Sequence, residues 1–379
     1  DENAADLNRI WDVDQNITSI YSSAYNPDYQ TFRQKTFRLE EPFRNGMMQS
    51  VSKNPVFQRM MGVRYIVSDS DVPGYTLVKK CGTTGIYQNK DAAPVMYATD
   101  RVMTEEEYKK LAFPYNQTAL LEYAVVGGHT ESEDQNIMTA YQPVSLKKAD
   151  TQDGWKIHAK KMKKTTFSIQ QVQQKTAQEK KQENRVLFLK FRVDNAHPNK
   201  DVAVWINGIR NKLSAKDHVY YNENKTFTYA VPLKDGEDNI SVTFGKGKYQ
   251  LSQVQAYLGS LPERSETLYQ SEVQVDKKQT KDNVIQGTIQ VKNNGWFITS
   301  IPYDTHFKMY IDGKETKIQK VNMAFLGCKI RRGKHEVKII YHAPGTTTGK
   351  VLSLIGIAGF LLVLVQEKEN KKIIQGSIC

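Results

Sequence analysis

The sequence predicts a mainly β protein: a mixed α/β N-terminal lobe, a jelly-roll-like β-sandwich, a smaller C-terminal β-sandwich and a terminal apolar helix. Three observations carry this expectation. From Trp155 onward, short runs with two-residue apolar alternation recur between Gly, Asn and Asp turns. Before them, helix-capping and strand signals are mixed. At the end, Val351 to Val365 is a run of fifteen uncharged, mostly apolar residues. The boundaries that follow are 1–130 for the first lobe, 131–148 for a linker or crossing loop, 149–264 for the sandwich, 265–345 for the small β domain and 346–372 for a membrane anchor with its tail.

In the first lobe, "NPVFQRMMGVRYIVSD" reads as a short helix through Met61 followed by a strand from Arg64 to Ser68, with a turn at Pro73 and Gly74. "GYTLVKKCGTTGIYQN" reads as a hairpin, Gly82 and Gly85 supplying the turn. "TEEEYKKLA" is a capping box: Thr104 can accept from the amide of Glu107 while Glu107 reaches back, so a helix is expected to start at Glu105. In the sandwich, "WKIHA", "DVAVWING", "KTFTYAV" and "NISVTF" alternate, whereas "RVLFLKFRV" is apolar on both faces, as a fully buried strand would be. Gln170 to Asn184 is polar and reads as a long loop. In the small domain, "FKMYI" and "ETKIQKV" flank Asp312-Gly313, a strong hairpin signal, and an Asn-Gly turn separates "NVIQGTIQV" from "GWFITSIPY".

A helix packed on a soluble core shows charges at helical spacing on its wet face. The terminal run has none. As a helix it is roughly 22 Å long, short of the ~30 Å hydrocarbon core. Lys350 on one side and Lys368, Lys371 and Lys372 on the other are placed to snorkel and lengthen the effective span. The lysine excess after the run implies a cytoplasmic tail and a body outside the membrane. A buried terminal helix, or a helix that packs against a partner, is the competing reading. The chain opens "DENAADLNRIWD", without a basic, apolar export leader. A body outside the membrane needs one, so a C-terminal piece of a longer protein is expected.

The 379 residues carry a net charge of +12, which suits a polyanionic partner, an anionic lipid surface or simply a lysine-rich solvated surface. Cys81, Cys328 and Cys379 show no zinc spacing, and a Cys81–Cys328 disulfide remains open. No phosphate-cradling loop, nucleophile elbow or H-E-x-x-H pair occurs, and no two of the seven histidines have ligand spacing. Asp12 and Asp14, like Asp69 and Asp71, form D-x-D spacings common in turns. No catalytic, metal or cofactor site is therefore expected.

Two candidate binding features remain. "KIHAKKMKK" offers Lys156, Lys160, Lys161, Lys163 and Lys164 as point charges for phosphate groups. Aromatics for base stacking are not interleaved, which argues against nucleic acid. Trp205 and Trp296 lie beside polar residues and could stack on a sugar ring, or fill the sandwich core.

"SIPYDTHFKMYIDGKETKIQKVNMAFLGCKIRRGKHEVKIIYHAPGTTTGKVLS" resembles the C-terminal end of the bacterial YfhO family of polytopic membrane proteins. Ile301 to Asp304, Asp312 to Lys314, Asn322, Phe325, Gly327, Gly333, His335 and Tyr341 follow the family order, with Pro344 one place late. A second patch agrees, through Val63, Tyr65, Gly74, Tyr75, Ile86, Tyr87, Asn89 and Pro94, and "IYSSAYN", Ile20 to Asn26, fits the start of the outer region. His306 and Phe307 stand where the family has Gly-Trp, so a role hung on that tryptophan does not transfer. Physically these residues read as turn and packing positions. The resemblance implies a Gram-positive GT-C-type glycosyltransferase linked to teichoic acid glycosylation, with catalytic carboxylates in an N-terminal multi-span part that these residues do not include. It adds Tyr303 and Asp304 to the candidate carbohydrate contacts.

The leading expectation is a non-catalytic extracytoplasmic region that positions a polyanionic acceptor such as lipoteichoic acid, with membrane lipid and the N-terminal transmembrane part of the same protein as partners. A stand-alone membrane-anchored carbohydrate-binding or adhesion module is the alternative. A hydrolase would need paired carboxylates facing one cleft.

Overall fold

The computed structural model describes residues 25–38, 53–128, 138–147, 155–171, 185–264, 268–281 and 283–376. The fold is mainly β, with sandwich-like sheets and one terminal apolar helix. The chain divides into two compact units: residues 1–274, 289–303 and 319–335 form one, and residues 275–288, 304–318 and 336–379 the other.

The first unit contains the sandwich. One half pairs Thr226–Pro232, Arg185–Asn195 and Gly247–Ser260, with Trp155–Ala159 also on the last of these. The other orders Ile209–Leu213, Val202–Ile206, Asn239–Phe244 and Lys163–Gln171. Gln142–Lys147 joins them. Its Pro143 pairs with Tyr257 in one half, and Val144 to Lys147 pair with Gln171 to Ser168 in the other. The segment 131–148 thus contains a strand, with Val144 buried and Leu146 half-buried, an alternation too short to stand out from its polar neighbours.

Side chains of both halves interleave in one core, including Trp155, Phe167, Leu187, Leu189, Phe191, Val204, Phe227 and Phe244. The two-faced strand behaves as its composition dictates. Leu187, Leu189 and Phe191 enter the sandwich core, while Val186 and Phe188 on the opposite face enter a second, aromatic core with Phe32, Phe37, Phe57, Tyr141 and Phe325. Rings there meet edge to face, Phe32 on Phe325 at 5.4 Å and Tyr141 on Phe188 at 5.0 Å between centroids.

The second core lies against a seven-stranded sheet ordered Ser271–Glu272, Met96–Thr99, Gly295–Pro302, Phe325–Ile330, Gln319–Val321, Ala124–Val126 and Val102–Thr104. Strands from 265–345 thereby join strands from the first lobe. The Asn-Gly turn is followed by Gly295–Pro302 in this sheet, whereas Val284–Val291 before it joins a different one. A Cβ on Gly295 would collide with the Thr99 carbonyl, so glycine lets the two strands close. The capping box forms as expected, Thr104 and Glu107 bonding reciprocally at the start of helix Glu105–Lys109. Tyr65–Ser68, Thr84–Gln88 and Thr76–Cys81 make a three-stranded antiparallel sheet. The thiols of Cys81, exposed, and Cys328, buried, are both free. The loop expected after Gln170 falls mostly outside the described residues, as do Asp12 and Asp14.

The second unit is built on a five-stranded sheet ordered Gln274–Val275, Val284–Val291, Gly333–Tyr341, Phe307–Ile311 and Lys314–Thr316, with Met309, Val337 and Ile339 buried. The hairpin at Asp312-Gly313 forms with φ of 51° and 75°, the left-handed pair a two-residue turn requires. After Tyr341 the chain makes a short turn into helix Thr346–Gly376. Within it, the 23 residues Thr346–Lys368 are long and apolar enough to cross a membrane, and none of the stretch is buried in the protein. At ~1.5 Å per residue that length exceeds the ~30 Å hydrocarbon core. The helix extends past both ends of the apolar run, so polar helical residues flank it on either side.

Candidate functional site: a basic groove on the sandwich

At one end of the sandwich a groove of about 960 Å³ opens between sheet and loops. Its sheet side is contributed by three neighbouring strands whose residues stand in register: Asp194 beside Gln250 beside Lys156, and Asn195 beside Tyr249 beside Ile157. Alternation separates the two rows. Tyr249 is buried, whereas Lys156, Asp194 and Arg192 are exposed. The other walls come from the segments around Pro198, Ser214 to Lys216 and Tyr221 to Lys225.

Charge and apolar surface combine here. Lys156, Arg192, Lys216, Lys225 and Lys248 line the groove against two carboxylates, Asp194 and Glu223, and His158 adds a ring. Asp194 is already engaged: Arg192 Nε lies 3.0 Å from its Oδ1, and Ser252 Oγ donates to Oδ2 at 2.9 Å. Tyr221, Pro198 and Leu213 supply apolar lining. Such a surface suits a flexible chain carrying several phosphates, since lysines bind as compact point charges on mobile stems.

The loop wall is held by Asp201. Its Oδ1 accepts from the Ala215 amide at 2.7 Å and its Oδ2 lies 2.7 Å from Lys212 Nζ. Partial burial pushes this carboxyl up, but the bonds from Lys212 and Ala215, with the charges of Lys212 and His218, outweigh it and hold the group below its ordinary range.

Of the five lysines singled out in the sequence, Lys156 lines the groove. Lys160 and Lys161 follow in the turn, and Lys163 and Lys164 open the strand that pairs with Phe244 and Thr243; all four are exposed and none lines the groove. Arg192, Lys216, Lys225 and Lys248 come from separate segments, so no contiguous motif groups them with Lys156. The usable signal was strand alternation, which puts Lys156 and Arg192 on the outer faces of their strands.

The sugar-contact candidates are not gathered together. Trp205 is half-exposed on an outer sheet face, paired with Arg210, whose guanidinium lies 5.4 Å from the ring centroid. Trp296 is 8% exposed and belongs to the aromatic core, with Lys329 Nζ 5.7 Å from its centroid. Tyr303 is half-buried in the first unit; its carbonyl accepts from Asn26 Nδ2 at 2.7 Å, and Lys320, itself 2.7 Å from Asp28, lies 5.6 Å from the ring centroid. Asp304 belongs to the second unit, where Oδ1 accepts from the His306 amide at 2.8 Å and lies 2.7 Å from Nδ1. Burial raises its carboxyl, but these bonds and the His306 charge prevail and lower it. Among the described residues no group of three or more His, Cys, Asp or Glu side chains is placed to hold a metal ion.

The description "Bacterial membrane protein YfhO" matches residues 11–353. A protein of Bacillus subtilis (strain 168), "Uncharacterized protein YfhO", is 21% identical over 279 residues, which is 72% of this chain and 31% of that relative. The chain therefore matches less than a third of that relative's length. Together with a terminal helix long enough to cross a bilayer, the match over most of its length means that the chain belongs to the YfhO family of bacterial membrane proteins.

Proposed function

We propose that this chain is the non-catalytic extracytoplasmic region of a multi-pass YfhO-family protein, anchored by its last helix, and that the groove on its sandwich holds an anionic cell-wall polymer such as lipoteichoic acid for glycosylation by the membrane-embedded part. The observation that carries this reading is the groove itself, which five cationic side chains from separate segments line together with apolar Pro198, Leu213 and Tyr221, against two carboxylates. A poly(glycerol phosphate) chain offers phosphates at regular intervals on a flexible backbone, which such a surface can track without fixed geometry. The lysine excess after the apolar run, Lys368, Lys371 and Lys372 against Lys350 before it, supports a cytoplasmic tail, and hence a body on the outer face.

Binding of purified lipoteichoic acid to the full chain in detergent tests this reading. Affinity is expected at low ionic strength, with a loss of at least about tenfold on adding roughly 0.3 M salt as screening shortens to a few ångströms. Absence of binding at low salt contradicts it. A second reading, a stand-alone module for neutral sugars, is favoured by the half-exposed Trp205; a glycan array with salt-insensitive binding to uncharged oligosaccharides would select it.

A further inference from the structure

We propose that the helix-side end of the second unit's sheet, formed by His306, Phe307, Tyr341 and His342, is a docking surface for lipid head groups. This does not depend on the groove or its ligand.

Connectivity confines that end to the membrane surface. Strand Gly333–Tyr341 stops four residues before helix Thr346–Gly376. Four residues reach at most ~14 Å when fully extended, and here they are folded back, with the Thr346 amide and hydroxyl both donating to the Ala343 carbonyl, at 3.3 and 2.8 Å. The first helical residues, Thr346 to Lys350, are polar and exposed, and the apolar run begins at Val351. Their ~7 Å of helix matches the thickness of a head-group layer, ~5–7 Å per leaflet. The sheet end therefore sits at the outer boundary of that layer.

Its composition fits the place. Phe307 and Tyr341 are half-buried neighbours with ring centroids 4.8 Å apart, and tyrosine is an amphipathic aromatic of the kind enriched at membrane interfaces. The connecting segment is stitched to this edge, since the His342 amide donates to the His306 carbonyl at 2.9 Å and Asn283 exchanges two bonds with Tyr341, at 2.7 and 2.9 Å. His306 and His342 are exposed; His306, whose Nδ1 is taken by Asp304, offers Nε2, and His342 its ring nitrogens, to phosphate and glycerol oxygens, while exposed Lys281 and Lys350 flank the edge as cations. The Asp304 carboxylate on the same end is held by His306. A rigid edge of this kind fixes the orientation of the second unit on the bilayer instead of leaving it on a swinging tether.

The test uses the full chain in single-copy nanodiscs of anionic and zwitterionic lipid, carrying Cys81→Ser and Cys379→Ser so that the remaining thiol, Cys328, is buried. An environment-sensitive fluorophore is placed on His342→Cys or, at the far end of the sheet, on Lys314→Cys, and quenching by head-group nitroxide lipids is read. Docking predicts strong quenching at position 342 and several-fold weaker quenching at 314. It also predicts that more than half the quenching at 342 survives a ten-residue Gly-Ser insertion between Gly345 and Thr346. In that spaced chain, Phe307→Asp or the surface change Lys281→Glu should each cut the remaining quenching at least twofold. Loss of quenching on spacing, equal quenching at both positions, or quenching that needs two copies per disc would overturn the proposal.

Discussion

The Val125 amide donates to the Asn322 side-chain oxygen at 2.7 Å, and the Asn322 amide donates to the Val125 carbonyl at the same distance, across 197 residues of chain. One asparagine thus continues the ladder at the point where the late strands meet the early ones. It is 4% exposed and holds a left-handed φ of 45°, a conformation that asparagine tolerates better than most residues. The Asn322→Ala variant leaves a buried amide without its acceptor and strains the backbone. A loss of about 1–3 kcal/mol is expected in denaturant unfolding in detergent, with Asn322→Gly losing less because it keeps the backbone freedom.

Gly327 is a second point of closure. A Cβ there would lie 2.6 Å from the Phe297 carbonyl and 2.7 Å from Val321 Cγ1. Gly327→Ala must push two paired strands apart, at a cost of about 1–3 kcal/mol. Gly313→Ala, at an exposed turn with nothing within 4 Å, tests strain from φ alone and should cost less.

The cysteines differ in access. Cys81 is exposed; Cys328 is fully buried and its thiol is pushed up to about 12 by burial. In a Cys379→Ser chain at neutral pH, one thiol should react promptly with a maleimide and a second only after unfolding. Two prompt thiols would contradict the buried strand Phe325–Ile330.

Acid should loosen the groove. Because the Asp201 carboxyl is held below its ordinary value of 3.8, its contribution is fully present above that value and is lost as pH falls through the lower folded one. Asp201→Asn should mimic this at neutral pH, giving faster hydrogen exchange at Ala215 than in the parent chain.

Much of the local structure was legible because it is encoded over a few residues. The Thr104–Glu107 box, the Asp312-Gly313 turn and the two-faced strand around Phe188 depend on adjacent side chains and their alternation. Pairing was not legible. Gly295–Pro302 leaves its sequence neighbour to lie between Met96–Thr99 and Phe325–Ile330, a choice made by complementary edges rather than by any signal inside the strand. The groove was hidden for the same reason: Lys156, Arg192, Lys225 and Lys248 become neighbours only through strand register and two loops. The dense lysine run after Lys156 is legible because it is contiguous, although Lys160, Lys161, Lys163 and Lys164 lie outside the groove.

In the proposed function the groove, and not overall charge, recognises the anionic polymer. Its most direct test compares lipoteichoic acid binding at low salt for two chains of equal net charge, Lys225→Glu with Lys248→Glu inside the groove and Lys160→Glu with Lys161→Glu outside it. The groove pair should weaken binding at least about tenfold, roughly 1.4 kcal/mol, while the outer pair changes it less than about threefold. Equal losses in both chains, or none in the groove pair, would contradict it.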